Sequence, residues 1–158
     1  MIVEHPDNPT IAATLADAGV YSLGGLLPGR AHIIARGEGL APRATTVALE
    51  ANVTTAVHDL ELEAAGSVDG VVVDALGQPV ANARIEVGYP GHVRHRSSLQ
   101  NLLGGRPLTS TDGRFRIEGV IPGLPMRVQA ATESSHSQTV SITLEPGQTR
   151  DSVELTLP

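Results

Sequence analysis

Six histidines, His5, His32, His58, His92, His95 and His136, are the side chains best suited to hold a metal or move a proton near neutral pH. Only His92-Val-Arg-His95 has ligand-like spacing. A zinc site needs further ligands at fixed separations, and the chain has no cysteine and no H-E-x-x-H. Arg94, between the two histidines, would also repel a cation. The pair is therefore read as loop histidines. Without cysteine there is no thiolate chemistry and no disulfide framework. All eleven basic residues are arginines, so Schiff-base chemistry is excluded. Serine, histidine and aspartate all occur, but no G-x-S-x-G places a nucleophile. Glu61, Glu63, Glu86, Glu118 and Glu154 fall on strand positions expected to face water, where they cannot form the buried acid pair of a glycosidase. The expectation is a protein with no catalytic residue, no cofactor and no metal.

Binding is the remaining chemistry. Tyr21, Tyr89 and Phe115 are the only aromatics. Tyr21 and Phe115 fall at matching core positions, which leaves Tyr89 alone and makes an aromatic sugar platform a poor fit. Glycine pairs such as Gly24-Gly25 and Gly104-Gly105 read as turns and bulges rather than phosphate cradles. The stretch Gly88–Ser110 is long for a hairpin connection and contains no acid. It holds His92, Arg94, His95, Arg96 and Arg106 in a chain whose net charge is −6. With Tyr89, these residues are the candidate contacts for an anionic ligand or an acidic partner. Within the stretch, Ser97-Ser-Leu-Gln-Asn-Leu-Leu-Gly104 could close one or two helical turns, capped by serine and stopped by glycine. Leu99, Leu102 and Leu103 would then share one face and plug an end of the fold, leaving the arginines merely solvated.

The elements that would carry this loop are strands. Seventeen glycines and eleven prolines supply turns, and the apolar set is mostly Val, Leu, Ile and Ala, which pack well on a pleated surface. Apolar and polar residues alternate through Ala83-Ile85-Val87, Phe115-Ile117, Met126-Val128-Ala130, Val140-Ile142-Leu144 and Val153-Leu155-Leu157. With Val68–Asp74 in front, short strands at even spacing predict a sandwich or barrel. Asp112-Gly113 reads as a two-residue hairpin turn.

The sequence also repeats. Asp17-Ala-Gly-Val-Tyr-Ser-Leu-Gly-Gly-Leu-Leu-Pro-Gly29 aligns with Thr111-Asp-Gly-Arg-Phe-Arg-Ile-Glu-Gly-Val-Ile-Pro-Gly123. After a one-residue slip, Thr45–Thr54 aligns with Val140–Thr149, and Val57–Leu62 with Ser152–Leu157. Met1–His5 matches the strand around Ile85 to Val87, so nothing in the first copy corresponds to Val68–Val80. Residues 1–64 are thus expected to form an incomplete sandwich without its opening strand, and residues 65–158 a complete one. An incomplete sheet exposes backbone donors and acceptors that invite another strand. Either the 158 residues are part of a longer repeat array, or a neighbouring subunit donates the strand and a homo-oligomer results.

The second copy resembles the carboxypeptidase regulatory-like domain, a transthyretin-like seven-stranded sandwich. The resembling residues are Gly70-Val-Val-Val-Asp74, Gly77-Gln-Pro-Val80, Ala83-Arg-Ile-Glu-Val87, Thr111-Asp-Gly-Arg-Phe-Arg-Ile117, Pro122-Gly123 and Leu144-Glu-Pro-Gly147. The resemblance implies an all-β chain of two tandem Greek-key sandwiches, transthyretin-like or immunoglobulin-like. It implies a non-enzymatic accessory of adhesins and large surface proteins, acting as a spacer or interaction module. The related collagen-adhesin B-type domains often carry a lysine–asparagine cross-link, which a chain without lysine cannot form. The resemblance places the protein outside the cell or on its surface, although MIVEHPDNPT shows no leader pattern. The expected partners are proteins or neighbouring repeats. The acidic balance argues against nucleic acid, and no apolar run is long enough to insert into a membrane.

Overall fold

The computed structural model describes residues 2–5, 8–12, 14–15, 21–22, 27–51, 59–90 and 107–158. Every regular element among them is a strand: β1 (Ile2–His5), β2 (Asn8–Ala12), β3 (Thr14–Leu15), β4 (Tyr21–Ser22), β5 (Gly29–Ala35), β6 (Arg43–Leu49), β7 (Gly66–Val73), β8 (Arg84–Gly88), β9 (Arg114–Val120), β10 (Met126–Ala131), β11 (Val140–Ile142) and β12 (Thr149–Thr156). The chain divides into two compact units, Met1–Leu62 and Glu63–Pro158.

Unit 2 has two three-stranded sheets, ordered β11-β10-β8 and β12-β7-β9. Period-two alternation puts Ile85, Phe115, Ile117, Val128, Leu155 and their neighbours into one buried cluster. Removing that apolar surface from water is the main stabilising term. Most neighbours are antiparallel, but β12 runs parallel to β7, with Val153 opposite Gly70 and Leu155 opposite Val72. A shift in register between Arg150 and Val153, with Ser152 at φ 61°, bends this edge strand.

Pro107–Thr109 runs along the outer edge of β8 without reaching strand length. The Ile85 amide donates to the Pro107 carbonyl at 2.9 Å and the Thr109 amide to the Ala83 carbonyl at 3.0 Å. Proline has no amide to donate, so the ladder is interrupted there. The buried Thr109 hydroxyl ties this segment down. It donates to the Val80 carbonyl at 2.7 Å and accepts from the Ala83 amide at 2.9 Å.

One turn differs from its sequence expectation. The Ser110 amide bonds to the Arg114 carbonyl, and the Gly113 amide to the Ser110 carbonyl, each at 2.9 Å. The loop is therefore Thr111-Asp112-Gly113, three residues rather than two. Gly113 alone in it has a positive φ, 74°. A Cβ there would also lie 2.6 Å from the Val72 carbonyl oxygen, so only glycine lets the turn close against β7.

Unit 1 holds a four-stranded sheet, β2-β1-β5-β6, and a two-stranded piece, β3-β4. Ile33 on β5 stands opposite Val3 on one side and Thr45 on the other. In unit 2, Val128 on β10 stands opposite Val87 and Val140. Thr45 and Val140 are the residues paired by the sequence repeat, so both ladders run in the same register. Even β2, on the outer edge of β1, lies where Pro107–Thr109 lies on β8. Ala31, Ile33 and Val47 are buried, with Leu49 and Leu60 packed on them.

The strand expected over Val57–Leu62 is not formed where it can be seen. Val57 and His58 lie outside the described residues, and Asp59–Leu62 is irregular. The counterpart of this segment in unit 2 is β12, which bonds to β7. Among the described residues of unit 1, no strand takes the place of β7, and a strand without a ladder partner has nothing to hold it.

Candidate functional site

Tyr89 is buried in unit 2. It continues the inward parity of Ala83, Ile85 and Val87, and its side chain is 5 % exposed. Its hydroxyl accepts from the Ile121 amide at 3.0 Å and donates to the Met126 sulfur at 3.6 Å. Burial raises its pKa, opposed by the Ile121 hydrogen bond. The alternation that runs through Val87 would have marked it as a core residue.

His92, Arg94, His95, Arg96 and Arg106 lie outside the described residues, as do the turn expected over Ser97–Gly104 and the three leucines on it. Two facts bound this connection. It leaves β8 just beyond the buried Tyr89, and it returns as Pro107–Thr109 on the edge of the same strand. In unit 1 the corresponding connection, between His5 and Asn8, spans only residues 6–7. The basic loop is thus an extension particular to unit 2.

The outward face of β9 is charged and internally paired. Arg116 donates to Asp69 at 2.7 Å and to Glu118 at 2.9 Å. Its pKa is raised, first by Glu118 and then by Asp69. Asp112, bonded by the Ser110 hydroxyl and close to Arg114, is held below the ordinary carboxylate range. These are exposed pairs, and each contributes little to stability. A shallow groove of about 450 Å³ opens beside His136, Gln138, Val140, Glu154 and Leu157. Among the described residues no three His, Asp or Glu side chains converge as metal ligands. No described helix is long and apolar enough to cross a membrane.

What unit 1 offers is backbone. Asp59–Leu62 is anchored at two points. Leu60 packs against Ala31, Ile33 and Val47, and Arg43 Nη1 donates to the Glu61 carbonyl at 3.1 Å. In the repeat, Leu60 stands where Leu155 stands, and Leu155 is fully buried beside β7. A segment held in place by a side chain, with its ladder unformed, can take a further strand.

No curated protein matches the chain. Among solved structures it is similar to the TIE protein of Bacillus anthracis, at 18% identity and TM-score 0.40, over 99% of this chain and 30% of that one. It is also similar to a streptococcal ancillary pilin, at 8% identity and TM-score 0.42, over 94% and 50%. A third is BcpA, the major pilin subunit of Bacillus cereus, at 12% identity and TM-score 0.35, over 58% and 28%. The chain therefore spans half or less of each of these proteins. Residues 67–158, more than half of the sequence and all of the strands of unit 2 but the start of β7, match the carboxypeptidase regulatory-like domain. The chain belongs to the carboxypeptidase regulatory-like domain family.

Proposed function

We propose that the chain is a non-enzymatic pair of β-sandwich modules from a secreted or cell-surface protein, acting as a structural or adhesive spacer. On this reading, residues 1–64 form an incomplete copy of the module and residues 65–158 a complete one. The observation that carries it is the shared register. Val3, Ile33 and Thr45 stand to one another as Val87, Val128 and Val140 do. One module used twice serves to set distance and present surface, and its copies need no converging side chains. The family resemblance supports the same reading, since such domains accompany adhesins and other large surface proteins.

A second reading has its own observation. Asp59–Leu62 is anchored through Leu60 but forms no strand, while its counterpart β12 pairs with β7 over six residues. On this reading a neighbouring subunit donates the strand that takes the place of β7, and the protein assembles into a fibre or layer. Light scattering behind size exclusion, over a concentration series of the 158-residue chain, separates the two. A concentration-independent monomer supports the passive module pair. Defined oligomers that grow with concentration and are lost in Leu60→Asp support strand donation and overturn the passive reading.

A further inference from the structure

The first and last strands of unit 2 lie side by side and run the same way. β7 pairs with β12 over six residues, from Ser67 opposite Thr149 to Val73 opposite Thr156. The pairing continues past both ends. The Gly147 amide donates to the Ala64 carbonyl at 3.1 Å, the Ser67 amide to the Gln148 carbonyl at 3.0 Å, and the Leu157 amide to the Val73 carbonyl at 2.9 Å. The hydroxyls of Ser67 and Thr149 meet at 3.0 Å. Side chains lock the same pair, since Val68, Val72, Val153, Leu155 and Leu157 are all buried in the core. On its other side β7 is bonded to β9, so it cannot slide without breaking two ladders.

This arrangement decides how unit 2 answers tension. A pull along the chain reaches unit 2 at the start of β7 and at the end of β12, which are opposite ends of one parallel pair. Such a pull slides the strands past each other, and every hydrogen bond between them carries load at once. A pull on two adjacent ends would instead peel the pair open one bond at a time. Resting on the spacer reading above, we infer that β7 and β12 form a force-bearing clamp, by which unit 2 keeps its length under tension. Neither a lysine cross-link nor a disulfide can carry that load, because the chain has no lysine and no cysteine. The load falls on hydrogen bonds in shear, backed by the buried side chains of both strands.

With no native cysteine, pulling handles can be attached at chosen positions of the full 158-residue chain. Glu63→Cys with Pro158→Cys, both at exposed residues, loads β7 and β12 in shear. Leu76→Cys with Pro158→Cys loads the same pair by peeling, since Leu76 lies just beyond the end of β7 and is 84 % exposed. Rupture is read by single-molecule force spectroscopy at one loading rate. A gain of about 3.5 Å for each residue between the handles identifies the event as the unfolding of unit 2. The expected rupture force in shear is at least about twice that in peeling, although the folded protein is the same. Equal forces, or a stronger peeling geometry, would overturn the clamp and leave the spacer reading standing. Single molecules are pulled, so the result is independent of the oligomeric state that tests that reading.

Discussion

Units 1 and 2 share a ladder and differ in what lies beside it. β1-β5-β6 and β8-β10-β11 have the same order, and their central strands pair at matched residues. In unit 2 a second sheet, β12-β7-β9, joins the first around a single core. In unit 1 the described residues beside the ladder form only the short β3-β4 pair and the irregular Asp59–Leu62. Both segments keep their alternating sequence, so propensity alone does not make a strand. The central strand β7 binds β9 on one side and β12 on the other, whereas among the described residues of unit 1 no strand pairs with Asp59–Leu62.

The sharpest way to break this contrast is to make unit 2 behave like unit 1. Gly70→Ala puts a methyl against the Val153 carbonyl and the Phe115 ring. The expected cost is on the order of 3 kcal/mol, read as a lower midpoint for the cooperative unfolding of unit 2 in denaturant. Amide exchange in β12 should rise with it, toward that of Asp59–Leu62. An unchanged midpoint would mean that β7 does not organise the sheet.

Tyr89 probes a feature that only unit 2 has, since the repeat puts His5 in its place. Removing its hydroxyl strands the Ile121 amide and should cost about 1 kcal/mol in Tyr89→Phe. The pH dependence has a definite sign. The folded-state pKa of Tyr89 is raised, so its contribution is complete below the unfolded value near 10 and is lost as pH rises through the folded value. With neither lysine nor cysteine in the chain, few other groups titrate in that range. Thermal melts between pH 8 and 11 should therefore show a steeper alkaline loss in the native protein than in Tyr89→Phe.

The smallest effect is expected at Arg116. Its pairs with Asp69 and Glu118 are exposed and screened. Arg116→Gln should leave the unfolding midpoint of unit 2 unresolved from that of the native chain. A clear drop would show that the outer face of the sheet, and not only its core, separates the two units.

Much of this was legible in the residues. Turn signals at Asp112-Gly113 and Pro122-Gly123, with the alternation of Phe115-Ile117, Met126-Val128-Ala130 and Val153-Leu155-Leu157, located β9, β10 and β12. The repeat aligned residues that occupy the same ladder positions. What stayed hidden depended on non-local pairing. No local pattern announces that β12 runs parallel to β7, because the two strands are far apart in sequence. The third residue of the Thr111–Gly113 loop follows from the fit of Gly113 against Val72, which lies on another strand. The burial of Tyr89 was hard to read because a single inward position, Val87, separates it from Ile85, and the alternation ends at the loop that follows. The Val57–Leu62 alternation was real, but a strand needs a neighbour as well as a pattern.

Amide hydrogen exchange, residue by residue on the monomeric 158-residue chain, tests that last point most directly. The account predicts fast exchange at Asp59–Leu62 beside slow exchange at Ile33 and Val47, while Val153–Leu155 of β12 is as protected as its own core. Protection at Asp59–Leu62 equal to that of Val153–Leu155 in the monomer would contradict it, because the place of β7 in unit 1 would then already be filled.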